Sequence, residues 1–339
     1  MRARLPADLL TRPTEEAVRL LALGYLDEIE KASLRLGDPS DTEALHDFRV
    51  GLRRLRSCIR AYRSHFKGSV SKRTRRRLRD LTAATNAARD TQVQLAWLHQ
   101  QAGALAGEVE GLAWLVGRLE GRRFEALQEG TTDVAGQFSR AASKLRRRLR
   151  TFRVEVRPDG GSELRSFGQA TSALVRSHVL ALKEGLAAVE PDNEREAHAT
   201  RIAAKRLRYL LEPLVRRAPR GKSLIGRLKE LQDVLGDLHD VQILSQEITS
   251  SRELLSQTNP HQTPRAIPGL LTLQGMAQAR ADTLHAQFEA RWAATPAGQF
   301  LERVSEFALT LGKAEAGAGE TKYPPLGIVR ETAGSAAGV

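Results

Sequence analysis

"LHDFRVGLRRLRSCIRAY", Leu45 to Tyr62, is the stretch that decides the fold. Leu45, Phe48, Leu52, Leu55, Ile59 and Tyr62, with Phe66 beyond, recur at steps of three and four, the rhythm of one helix face. A second stripe of His46, Arg49, Arg53, Arg56, Arg60 and Arg63 keeps the same rhythm one residue later, and so lies about 100° around the helix. A solvated charge run would spread its cations over the face opposite the core. Here the cations flank the core face, which suits the wall of a groove between packed helices. Asp38-Pro39 halts any helix arriving from upstream, and Ser40 with Glu43 predicts a capping-box start.

The rest of the chain shares this bias. Its 339 residues carry 53 Lys+Arg against 40 Asp+Glu, a formal net charge of +13, which favours an acidic partner: nucleic acid, anionic membrane or another polyanion. The excess is local, with thirteen Lys/Arg and only Asp47 opposing them between His46 and Arg79. Arg195 to Lys229 holds eleven cations against Glu196 and Glu212. The single cysteine, Cys58, excludes an intramolecular disulfide and sits beside the apolar stripe, where a packed, unreactive thiol is expected. "MRARLPADLLTRP" lacks the apolar segment of a signal peptide, and the apolar runs are too short to span a bilayer. The expectation is a soluble, cytoplasmic protein with no membrane partner.

Period-3.6 patterns between short breakers predict an all-α chain. The breakers are Asp38-Pro39, Pro158 to Gly161, Pro191 to Asn193, Pro219 to Gly221 and a longer loop, "SQTNPHQTPRAIPG", from Ser256 to Gly269. Residues 312–339, rich in Gly and Ala, are expected to form a disordered tail. "AHATRIAAKRLRYLLEPL", Ala197 to Leu214, repeats the opening pattern: His198, Arg201, Lys205 and Arg208 stand 152 residues after His46, Arg49, Arg53 and Arg56. Leu78, Leu81, Asp90 and Gln92 reappear at an offset of 150 as Leu228, Leu231, Asp240 and Gln242. Two matches at nearly one offset predict an internal duplication: one helical bundle over residues 14–156, a second over 164–311, related by pseudo-twofold symmetry. The two basic stripes would then flank one shared channel.

The doubled H-x-x-R-[VI]-x-x-[RK]-R-L-R pattern, together with "LQDVLGDLHDVQIL", resembles the CHAD domain, the conserved histidine α-helical domain, from about Thr14 to Leu311. The resemblance implies two helical bundles and the binding of inorganic polyphosphate along a basic surface, without catalysis, metal or cofactor. Association with polyphosphate granules is left open by the sequence. By position it points to His46, Arg49, Arg53, Arg54, Arg56, His198, Arg201, Lys205, Arg206 and Arg208, with Arg60 on the same stripe. Many relatives carry a triphosphate tunnel domain in front, and no Glu-x-Glu-x-Lys signature of that domain stands in this sequence.

Two other readings compete. Nucleic acid uses the same arginine chemistry, and charge alone leaves it level with polyphosphate. Aromatic residues, however, make up only 5% and do not interleave with the basic stripe, as base stacking would require. The dipeptides His46-Asp47 and His239-Asp240 suggest a helical HD-type phosphohydrolase, but a dication would be repelled by Arg49, Arg53 and Arg54. The run Lys144 to Arg153 is partly solvated and could extend the binding surface. Asp90 and Asp240 are each expected to fix an arginine, and Trp97, Trp114 and Trp292 to lie in the core or at bundle ends.

Overall fold

A computed structural model describes residues 5–38, 40–41, 43–85, 87–105, 108–130, 134–151, 165–190, 193–214, 221–258, 261–292 and 294–313, with backbone alone at 87–90, 126–130 and 294–295. The tail expected over 312–339 falls, from 314 onward, outside the described residues. The described chain is all-α. Its helices are α1 (Thr14–Arg35), α2 (Ala44–Ala61), α3 (Lys72–Ala84), α4 (Ala87–Gln101), α5 (Val109–Gly130), α6 (Val134–Arg150), α7 (Phe167–Ala188), α8 (Glu194–Leu211), α9 (Gly221–Thr258), α10 (Thr263–Trp292) and α11 (Ala294–Gly312). Among the described residues no helix is long and apolar enough to cross a membrane.

The apolar stripe of α2 builds the main core. Phe48, Leu52, Leu55, Ile59, Tyr62 and Phe66 are buried, while Leu45, first in the stripe, stays exposed. α2 packs along α1, with α3 and α6 closing that side, and Phe48 meets Phe138 of α6 edge-to-face at 5.4 Å. α7 packs against α8 and α11, and α8 against α9. Two seams join these groups: α1 touches α7, and α2 touches α8. The first begins where the chain before α1 runs beside the start of α7, with Phe167 N donating to Arg12 O at 2.8 Å and Gly168 N to Leu10 O at 2.8 Å. Gly168 has no room for a side chain, because a Cβ there would lie 2.3 Å from Leu311 O. Deeper in, the Tyr62 and Thr171 hydroxyls are 2.7 Å apart, which satisfies both in an otherwise apolar layer.

A second core lies apart from the first. Leu95, Leu98, Leu112, Leu115 and Leu119 of α4 and α5 interleave with Leu244, Ile248 and Leu255 of α9 and Leu270 and Leu273 of α10. Backbones come close here: a Cβ on Gly111 would stand 2.4 Å from Ala266 O, and one on Gly269 would stand 2.3 Å from Glu108 O. This layer therefore unites helices from both ends of the sequence. Trp292 is fully buried in the main core, whereas Trp97 and Trp114 are half-buried at the edge of the second.

Two local expectations are corrected. α2 does not start at a Ser40–Glu43 capping box; its N-cap position is Glu43, with no side-chain cap. Ser40 instead turns its hydroxyl to Asp38, and Asp41 Oδ1 accepts from the Glu43 and Ala44 amides at 3.2 and 3.0 Å. The reason is tertiary, since Arg35 at the end of α1 grips the Asp41 carboxylate at 2.7 and 2.9 Å and fixes it over those amides. The loop expected from Ser256 to Gly269 is short, because α9 continues to Thr258 and α10 begins at Thr263. Pro264 falls in the first turn, where the amide it lacks has no helical partner. Pro268 lies further in, and burial of neighbouring Ala266, Gly269 and Leu270 against α5 offsets its lost hydrogen bond.

Candidate polyanion-binding surface

The second basic helix is placed by the same logic as the first. Asn193 caps α8 by accepting from Glu196 N at 3.2 Å. Ala197, Ala204, Leu207, Leu211 and Leu214, the apolar stripe expected from sequence, are all buried. Small residues let α8 come close to α7: a Cβ on Gly185 would reach to 2.6 Å of the Thr200 hydroxyl. With its core face fixed, α8 turns its cations to the α2 seam.

There the two stripes converge. Lys205 of α8 is half-buried, and its ammonium is pushed down to about 8, first by burial and then by Arg201, Arg53 and Arg208, with Asp240 opposing. Arg53 belongs to α2, so residues 152 apart in sequence share one field. The buried Nε of Arg53 has no hydrogen-bond partner among the described residues. His198 is lowered by burial, then by Arg201 and Lys205. His239 of α9 joins from the other side, its ring 5.0 Å from that of His198. Burial, Arg201, His198 and Lys205, in that order, press His239 down to about 4. Neighbouring cations and burial of this kind disfavour the protonated form of both imidazoles.

Other expected site residues stand elsewhere. Arg54 turns to the seam: its Nε donates to Glu212 at 2.8 Å, and Glu28 of α1 lies 3.7 Å from it. Glu212 also stands 3.3 Å from Arg208. One carboxylate thus ties α2 to the end of α8 and partly balances both arginines. Arg56 points towards α3, where burial, Arg60 and Arg79 lower its pKa. Arg206 is lowered by burial and then by Arg60, so these two cations also face one another across the seam. His46 is exposed at the start of α2, and Arg49, one turn on, is buried at 8% exposure. In the Lys144–Arg153 run, Leu145 and Leu149 are buried, and Arg146 is committed to Asp27 and Glu30 of α1 at 2.7 Å each. Lys144, Arg147 and Arg150 stay exposed, and Phe152 and Arg153 lie outside the described residues. Asp240 acts on Lys205 rather than standing as a lone anion, and the Asp90 side chain lies outside the described residues.

His239 is the residue that sequence reasoning did not place in the site. Its signal was present, since the 150-residue offset aligns His239 with Arg89, a cation in the matching segment. Among the described residues no three His, Cys, Asp or Glu side chains gather so as to hold a metal ion. What the surface offers chemically is a set of guanidinium forks, an ammonium and two protonatable imidazoles at fixed spacing, suited to successive oxyanions.

No curated protein matches the chain. Among solved structures, the CHAD domain of the plant Ricinus communis superposes with a TM-score of 0.59 over 86% of this chain and 96% of that one, at 22% identity. PptA from Streptomyces chartreusis aligns with a TM-score of 0.58 at 17% identity, covering 84% of this chain and 100% of that one. Both likenesses concern the fold. The sequence itself matches the CHAD domain over residues 21–249, two-thirds of its length, and so the chain belongs to the CHAD domain family.

Proposed function

We propose that this protein binds inorganic polyphosphate, without catalysis, along the basic surface where α2 and α8 meet. The observation that carries the reading is the crowding of Arg201, Arg53 and Arg208 around half-buried Lys205, where burial first and then these cations press the ammonium down to about 8. Like charges concentrated at a fixed place cost folding free energy that an anionic ligand would return. A chain made only of phosphate needs no base stacking, and the described cluster is cationic rather than aromatic. Arg53, Arg201, Lys205, Arg208 and His198 form the centre of the contact set, with His46, Arg49, Arg56, Arg60 and Arg206 extending it. Arg54, neutralised by Glu212 and Glu28, is assigned to holding the seam closed. In the same reading, residues 14–156 and 164–311 are copies of one ancestral bundle, each giving one wall, and the protein works in the cytoplasm at polyphosphate granules.

Calorimetric titration with long-chain polyphosphate and with single-stranded DNA of equal charge tests the reading. Polyphosphate should bind more tightly, with an affinity that falls steeply with salt. Arg53→Glu with Lys205→Glu removes two charge-assisted contacts of about 1.5 kcal/mol or more each, a loss of roughly 100-fold or greater. Arg265→Glu with Arg291→Glu, exposed on α10, changes net charge equally and should cost far less. Equal affinity for the DNA would make this a nucleic-acid-binding surface and sink the polyphosphate assignment.

A further inference from the structure

Beside the α2–α8 seam lies a cavity of about 270 Å³ that differs in kind from the polyanion surface. Its walls are apolar and aromatic, with Tyr25 of α1, Leu174 of α7 and Tyr209 and Leu210 of α8, while Arg60, Arg206 and His178 add charge and polarity. At the 152-residue offset that relates the two basic motifs, Arg54 corresponds to Arg206 and Glu212 to Arg60. Arg54 and Glu212 form an ion pair at 2.8 Å. The counterpart pair, Arg206 and Arg60, brings two guanidiniums into the same cavity wall, with Arg60 where a carboxylate would close the pair, and burial and then Arg60 lower the pKa of Arg206. Neither Arg60 nor Arg206 forms an ion pair among the described residues, and both are exposed enough to reach a ligand. His178, lowered by burial and Arg206, is a neutral imidazole there and can donate or accept.

We propose that this cavity binds an aromatic phosphate monoester, its ring between the tyrosines and leucines and its dianionic phosphate between Arg60 and Arg206. The volume sits at the small end of ligand pockets, about 300 Å³ and upward, which fits a ligand of one or two rings rather than a polymer. An all-phosphate chain would leave the apolar wall unused, and a neutral aromatic would leave two like charges uncompensated. This goes beyond polyphosphate binding and does not depend on it, although Arg60 and Arg206 can serve both ligands.

The test uses the full chain and three probes: 1-naphthyl phosphate, inorganic phosphate and 1-naphthol, each titrated calorimetrically. Naphthyl phosphate should bind at least about tenfold more tightly than either fragment, as expected when an apolar wall and a charge-assisted pair act together. Arg60→Gln with Arg206→Gln, both on exposed positions, should remove about tenfold or more of that affinity. Leu174→Trp, which fills the apolar wall, should abolish naphthyl phosphate binding while polyphosphate binding stays unchanged. Naphthyl phosphate binding no better than inorganic phosphate, or binding that survives both variants, overturns the proposal. Naphthyl phosphate binding by an unmodified chain that binds no polyphosphate would instead overturn the polyphosphate reading alone.

Discussion

Replacing Glu212 by glutamine probes the junction on which the basic surface depends. The Glu212 side chain is 13% exposed, accepts from Arg54 Nε at 2.8 Å and stands 3.3 Å from Arg208. Removing one member of a buried pair costs about 3–5 kcal/mol, while exposed pairs contribute under about 1 kcal/mol. Two features place this site between those limits. Glutamine keeps an oxygen that can accept from Arg54, and Glu28 remains 3.7 Å from the same guanidinium. The expected loss is therefore about 2 kcal/mol, read as a shift in the urea midpoint at constant slope. A double-mutant cycle with Arg54→Met should return a coupling of about 1 kcal/mol or more, since the two residues share one hydrogen bond. Polyphosphate affinity should move the other way, because the variant removes one negative charge beside Arg54 and Arg208. A stability loss below about 0.5 kcal/mol, or a coupling near zero, would refute the assignment of this ion pair to holding α2 against α8.

Three further outcomes follow from the basic cluster and the second core. His239 titrates near 4 in the folded protein against about 6.5 when unfolded, so between those values the unfolded chain binds more protons and stability rises with pH. Urea denaturation at pH 5 and 7 should show a smaller acid loss for His239→Gln than for the unmodified protein; equal losses would remove His239 from the field of Arg201, His198 and Lys205. A bound polyanion raises the pKa of His239 and His198, so polyphosphate affinity should grow as pH falls from 7 to 5.5, below the range in which Lys205 titrates, and the double glutamine variant should flatten that trend. Gly111→Ala should cost about 1–3 kcal/mol, because its Cβ would meet the backbone of α10 at Ala266 and push the second core apart; near-wild-type stability would show that α5 and α10 can separate freely.

The helices and the basic stripes were legible because both are written in short-range periodicity. Phe48, Leu52, Leu55 and Ile59 could face only one way on a helix, and the cations one residue later had to flank the core. The repeated motif at Ala197 to Leu214 then predicted a second such helix, and it forms as α8. Cys58 was legible for the same reason: it is buried, and burial pushes its thiol up to about 12. The start of α2 was not, because the choice between Ser40 and Asp41 as the capping group is made by Arg35 at the end of another helix.

Sequence by itself determined, then, that the chain is helical, which faces of α2 and α8 are buried, and that two cationic stripes exist. The tertiary structure alone decided what those stripes meet. Glu212 neutralises Arg54 from 158 residues away, Arg53 enters the field of Lys205, and His239 is carried to His198 by α9. It also drew α4 and α5 against α9 and α10 into a separate core. Helix periodicity is fixed by neighbours three and four residues away, so a local pattern reveals it. Electrostatic partners are fixed by packing between helices far apart in the chain, and the strength of each pair depends on a burial that exists only once the helices have closed on one another.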